Sequence, residues 1–275
     1  MTSENTLKLA FYDSGIGGLS VLNEFLKFFT KTSSQGDVAA RNLSSLDEGS
    51  RTNVEIFYFA DSARAPYGAR SMKQIETYVY EFLDFAANLN INYFISACNT
   101  SSNLFENLDF SAYRFKTLNL FSALNSYLSH NRENFSNKKL FYAATLANIA
   151  SEKYKSLALE VQPIACPRLV PLIEKREFIE AKRVLEGEYL KDNLGEIHRG
   201  AKLILGCTHY ALIKQYLTGY QIIDPAELIL NEFKNLYGTV NIAQLSLNTY
   251  STGENSSLMV STKELTCELT SSIEI

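Results

Sequence analysis

The chain has 275 residues, 46% hydrophobic and 20% charged, with a net charge of −4, an ordinary soluble balance with enough apolar material for one large or two medium domains. The acidic balance argues against a surface built to hold nucleic acid or an acidic membrane, and no uninterrupted apolar stretch is long enough to span a bilayer. Four cysteines without a C-x-x-C pair, beside three histidines, speak against a structural zinc site or a thioredoxin-type redox pair.

The N-terminus, Met1-Thr2-Ser3-Glu4-Asn5-Thr6, has neither the basic start nor the apolar core of a signal peptide, so the cytosol is the expected compartment and the thiols are expected reduced. The first strand is predicted over 7–12. It runs into Asp13-Ser14-Gly15-Ile16-Gly17-Gly18 and a helix over 18–29. Glycines there allow a tight turn and close approach to a ligand. A dinucleotide fingerprint would need glycine where Ser20 stands, so a capped strand-to-helix turn is the preferred reading of the segment alone. Residues 31–53, rich in Ser, Asn, Gly and charge, are expected as a long surface insertion.

A second strand over 54–60 leads to Asp61-Ser62-Ala63-Arg64-Ala65-Pro66-Tyr67-Gly68 and a helix over 71–88. Pro-Tyr-Gly reads equally as a packed turn and as a ligand loop presenting N–H groups and a phenol. Strands over 91–97 and 117–121 alternate with helices over 101–108 and 122–130. The alternation continues with strands over 139–143, 161–165, 202–206 and 220–223 and helices over 147–159, 176–190, 209–217 and 226–236. Such βα units predict an α/β fold with mostly parallel sheets, and ligands in that class bind beyond the carboxyl ends of strands. The tail from about 244 to 275, Ser/Thr-rich and alternating at Ser257-Leu258-Met259-Val260, is expected to add an edge strand or to be partly disordered.

Two thiols stand in matching settings. Cys98 ends the apolar run Tyr93–Ala97 and precedes Asn99-Thr100; Cys207 ends Leu203–Gly206 and precedes Thr208-His209. Each strand is expected to deliver its thiol to a helix start, which lowers a thiol's pKa. Two such units suggest one site with a sulfur on each side, which suits moving a proton from one face of a carbon to the other. His209 is a candidate base, acid or electrostatic partner for Cys207. Cys166, Cys267, His130 and His198 read as inert or structural. Glu174 could tune His209, although spacing alone favours a solvated helix carboxylate.

Together the segments Asp13-Ser14-Gly15-Ile16-Gly17-Gly18-Leu19-Ser20-Val21, Asp61 through Pro66-Tyr67-Gly68, Ala97-Cys98-Asn99-Thr100-Ser101-Ser102 and Leu205-Gly206-Cys207-Thr208-His209-Tyr210 resemble glutamate racemases of the aspartate/glutamate racemase superfamily, in order and over about 7 to 236. The resemblance implies two pseudosymmetric α/β domains, 1–120 plus 224–275 and 121–223, with the active site in the cleft between them. It implies a cofactor-independent, metal-free isomerase interconverting L- and D-glutamate in the cytoplasm for peptidoglycan and cell-wall synthesis. A small-molecule substrate is implied, with no nucleic-acid or membrane partner; homodimers are frequent in the family. By residue match Cys98 and Cys207 are the acid/base thiols, Asp13 assists Cys98, and His209 backed by Glu174 assists Cys207. Asp13, Ser14, Tyr67, Gly68, Asn99, Thr100, Thr145, Thr208 and His209 match substrate-binding positions.

Three departures stand out: Ala60 in place of a frequent glycine, Asn148 in place of a threonine that helps hold substrate, and Ser122-Ala123 in place of Glu-Pro at the domain crossing. The rival readings are an aspartate or other amino-acid racemase of the same superfamily, a racemase-like binding protein with little turnover, and a pyridoxal enzyme, for which no lysine stands in a matching motif.

Overall fold

A computed structural model describes residues 5–34, 51–191, 202–238 and 240–253. The chain reads β1 (Asn5–Asp13), α1 (Leu19–Ser34), β2 (Thr52–Ala60), α2 (Met72–Asn88), β3 (Tyr93–Ser96), α3 (Asn99–Ser102), β4 (Lys116–Asn119), α4 (Leu120–His130) and α5 (Arg132–Phe135). It continues with β5 (Leu140–Ala144), α6 (Leu146–Ala150), β6 (Gln162–Ala165), α7 (Leu169–Glu174), α8 (Phe178–Val184), β7 (Lys202–Gly206), α9 (Thr208–Ala211), β8 (Gln221–Ile223), α10 (Pro225–Tyr237) and β9 (Ile242–Ser251). Among the described residues no helix is long and apolar enough to cross a membrane.

Among the described residues all strand pairs are parallel and fall into two sheets, ordered β4-β3-β1-β2-β9 and β6-β5-β7-β8. The second order repeats the first with every strand advanced by four, apart from the added β9. Strand β1 therefore corresponds to β5, and β3 to β7. In each sheet the order reverses between the first and third strands, the point at which α/β sheets open a crevice for ligands.

Both faces of the strands are covered, so the strands read as apolar runs rather than as alternating ones. On β1, Leu7, Leu9 and Phe11 pack with Leu22, Phe25, Ile229 and Phe233 of α1 and α10. Ala10 and Tyr12 face the other way, onto Ile75, Val79, Phe82 and Leu83 of α2. In the second sheet Phe141, Ala143, Leu203 and Leu205 meet α7 and α8, while Leu140, Tyr142 and Ile204 meet α4. Helix α4 lies at the crossing between the sheets: Leu120 and Ala123 belong to the first core, Phe121, Leu124 and Leu128 to the second. At the crossing, beside Ser122-Ala123, Asn119 caps α4 by accepting the Ser122 N–H at 2.8 Å.

All eight sequence-read strands are present, and the ninth, β9, is the edge strand anticipated for the tail; Ser257–Val260 lies outside the described residues. Several helices are shorter than their patterns. The segment 101–108 is α3 followed by a 3-10 turn, Phe105–Asn107. The segment 147–159 stops at Ala150 because Glu152 takes a left-handed φ of 54°. Helix α8 begins only after Arg176, at φ 62°. Helix α7 is absent from the helical stretches read from the sequence, since Pro171 interrupts its pattern; proline is tolerated there because it sits in the first turn. The insertion is also narrower than read: 31–34 continue α1 and 52–53 begin β2.

Candidate active site

The carboxyl ends of the two sheets converge on one cleft with about 390 Å³ of empty space, open mouth included. It is lined by Asp13 and Ser14 after β1, Ala65–Gly68 after β2, Cys98–Thr100 after β3, Thr145 after β5, Val170 and Glu174 on α7, and Cys207–His209 after β7. Every candidate residue named from the sequence is among these. Among the described residues no lysine or arginine lines the cleft. The two thiols thus occupy equivalent places, each after the third strand of its sheet, and both are buried.

The β1–α1 turn is organised by Asp13. Its Oδ2 accepts the N–H groups of Gly15 and Gly18, both at 2.9 Å, while Oδ1 is buried with no partner. Tyr58 braces the same turn from β2 by donating to the Gly15 carbonyl at 2.8 Å. The turn also docks on the second sheet: Ser20 Oγ lies 3.2 Å from the Thr208 carbonyl. A Cβ at Gly17 would lie 2.3 Å from His209 Nδ1 and 2.6 Å from Thr208 Oγ1, and one at Gly15 would lie 2.9 Å from Glu174 Oε1. The glycines here permit close approach of the two halves, not a dinucleotide.

Around the first thiol, Ser14 Oγ stands 3.9 Å from Cys98 Sγ, and Asn99 Oδ1 is buried without a partner. Burial and the nearby Asp13 carboxylate push the Cys98 thiol up to about 12, against the pull of the Ser101 and Thr100 N–H groups. This corrects the expectation of a thiol acidified by a helix start: α3 is only four residues long, and desolvation outweighs it. Burial also raises Asp13, opposed by His209 and by its two backbone N–H donors.

Around the second thiol a relay is built. Cys207 Sγ lies 3.8 Å from His209 Nδ1, and His209 Nε2 lies 2.6 Å from Glu174 Oε1. Burial disfavours the imidazolium, but Cys207 and Glu174 together hold the His209 pKa well above its ordinary value. Glu174, which spacing favoured as a solvated carboxylate, faces His209 from the carboxyl end of α7.

The Pro-Tyr-Gly loop is held from beneath. Tyr67 donates to the buried Asp61, so the short bond from Tyr12 must have Tyr12 as donor. Asp61 also receives Arg64 at 2.8 Å and, from the end of β9, Thr252 Oγ1 at 2.7 Å. Tyr12, Tyr58 and Thr252 escaped the sequence reading because buried strand tyrosines look like core and Thr252 is 191 residues from its partner.

No protein-family model matches the chain. A glutamate racemase of Lactococcus lactis subsp. cremoris is 32% identical over 251 residues, 82% of this chain and 80% of that protein. Among solved structures, a glutamate racemase from Campylobacter jejuni superposes with a TM-score of 0.75 at 25% identity, covering 94% of this chain and 98% of that one. The fold is shared by a glutamate racemase from Francisella tularensis, determined in complex with D-glutamate, with a TM-score of 0.71 at 23% identity over 95% of this chain and 94% of that one.

Proposed function

The chain belongs to the glutamate racemase family, and from that premise we propose that it interconverts L- and D-glutamate by direct proton transfer between two thiols. The observation that carries the reading is the pair Cys98 and Cys207, at equivalent positions of two like sheets and lining one cleft, each with its own polar partner.

In the L-to-D direction, Cys207 as thiolate removes the α-proton and Cys98 as thiol delivers its proton to the opposite face. The product is D-glutamate, with Cys207 now thiol and Cys98 thiolate; the reverse reaction uses the opposite protonation pattern. The high Cys98 pKa suits its thiol form before the forward step. Cationic His209, fixed by Glu174, places positive charge beside Cys207 while the sulfur is ionised. The unpartnered acceptors Asp13 Oδ1 and Asn99 Oδ1 suit a substrate ammonium. With no Lys or Arg among the described lining residues, the two carboxylates fall to the hydroxyls of Thr100, Thr145 and Thr208 and to loop N–H groups near Gly68, Asn99 and Thr208. Buried oriented donors of this kind stabilise the carbanionic transition state by position and electrostatics.

The active enzyme carries one proton on the thiol pair. The rate therefore falls on the acid side when both sulfurs are protonated and on the alkaline side when neither is, a bell-shaped profile belonging to the pair. The D-glutamate formed in the cytoplasm would supply peptidoglycan synthesis. The test is circular dichroism of D-glutamate, and separately D-aspartate, incubated with metal- and cofactor-free protein. Decay of the glutamate signal alone to zero is expected. Decay of the aspartate signal alone would keep the thiols and change the substrate, and stability of both signals with folded protein would overturn the activity.

A further inference from the structure

Asn148 replaces the threonine that the family resemblance places in contact with substrate, yet Asn148 does not line the cleft. It is 1% exposed, and its side-chain amide is engaged at both ends by protein. Nδ2 donates to the carbonyl of Gly206 at 2.9 Å, and Oδ1 accepts from Asn103 Nδ2 at 3.2 Å. Gly206 immediately precedes Cys207. Asn103 closes α3, which starts directly after Cys98. The amide orientation is fixed by its neighbours, because a flipped Asn148 would set donor against donor and carbonyl against carbonyl. Thr145, a lining residue, holds the Asn148 backbone by accepting its N–H at 3.3 Å, so the bridge is anchored at the cleft wall.

We propose that Asn148 is a positioning residue that ties the Cys98 turn of the first sheet to the Cys207 turn of the second, setting the separation of the two thiols across the substrate. The proposal rests on the two-thiol reading above. A threonine hydroxyl is shorter and offers a single O–H where the amide presents separate donor and acceptor arms, so asparagine suits a bridge that must reach both a backbone carbonyl and a side-chain amide. Misplacing a reacting group by about 1 Å can cost on the order of 10²-fold in rate, which makes a bridge between the two acid/base groups consequential without substrate contact.

The test compares Asn148→Ala, Asn103→Ala and the double variant by steady-state racemisation of D-glutamate, together with cross-linking of Cys98 to Cys207 by a short bifunctional thiol reagent, scored by peptide mass. Asn148→Ala should lower kcat roughly 10- to 100-fold with KM within about twofold of the parent, Asn103→Ala should act in the same direction, and the double variant should be no worse than the worse single one. Cross-linking should slow relative to single alkylation. A raised KM at unchanged kcat would make Asn148 a substrate contact and overturn the proposal, as would parent-like kcat and cross-linking in both single variants. Should Asn148→Ala fail to fold, Asn103→Ala carries the same expectation, since it leaves the bond to Gly206 intact. Cross-linking reads the bridge without turnover, so inactivity of the parent toward glutamate would refute the assigned substrate while leaving the bridge to be judged by thiol separation.

Discussion

At the scale of single residues, the two thiols are alike in sequence but unlike in surroundings. Cys98 is coupled to a buried carboxylate, Cys207 to an imidazole backed by a carboxylate. On the two-thiol reading, replacing either with alanine removes one of the two proposed proton carriers, and racemisation should fall by about 10²- to 10⁴-fold in each single variant; circular dichroism of either enantiomer reads it, and parent rates in both would exclude the two-thiol mechanism. Asp13 raises the Cys98 pKa through its charge, second only to burial. Asp13→Asn removes that charge, so the sign is downward: Cys98 alkylation, followed by peptide mass against pH, should reach its midpoint at a lower pH than in the parent. A midpoint unchanged or moved upward would show that the carboxylate does not act on this sulfur. The residues were legible because Cys-Asn-Thr and Cys-Thr-His interrupt apolar runs with polar groups. The raised Cys98 pKa was not, because it comes from desolvation and from a carboxylate 85 positions earlier in the chain.

At the scale of elements, each strand-to-helix junction delivers one part of the site, and short caps define where the helices begin. Ser71 and Gln74 form a reciprocal capping box that starts α2, and Asp224 with Pro225 starts α10. The β1–α1 turn has the further task of meeting α9 at close range. Gly17→Ala would drive a methyl group into His209 and Thr208, and an overpacked contact of this kind costs about 1–3 kcal/mol. Lowered thermal stability together with reduced kcat is expected; full activity would mean that the turn and His209 shift apart without consequence. The Gly-rich segment was visible in the sequence, but its partner was not: spacing could only ask whether it matched a dinucleotide loop, whereas the structure places Gly17 against Thr208 and His209 of α9, far away along the chain. Element boundaries moved for equally local reasons, such as left-handed Glu152 and Arg176 and a proline inside α7.

At the scale of the whole molecule, two sheets of the same strand order face one cleft, and the crossing helices α4 and α10 pack on each other and share apolar contacts with both cores. A ligand that touches both halves stabilises the folded chain against unfolding. At a concentration of 100 Kd, D-glutamate should add about 2.7 kcal/mol and raise Tm, with D-aspartate raising it less; equal shifts would show that the cleft does not discriminate by side-chain length. The sequence by itself determined the α/β class, the eight strands of the two repeated units, and the polar clusters at strand ends that line the cleft, because strand periodicity and polar breaks at strand ends are local properties of the chain. Tertiary structure alone decided that Glu174 meets His209, that Thr252 reaches Asp61, that Asn148 joins the two thiol turns, and that burial holds Cys98 as a thiol. Those depend on contacts across tens to hundreds of residues and on exclusion of water, and neither is written in the spacing of neighbours along the chain.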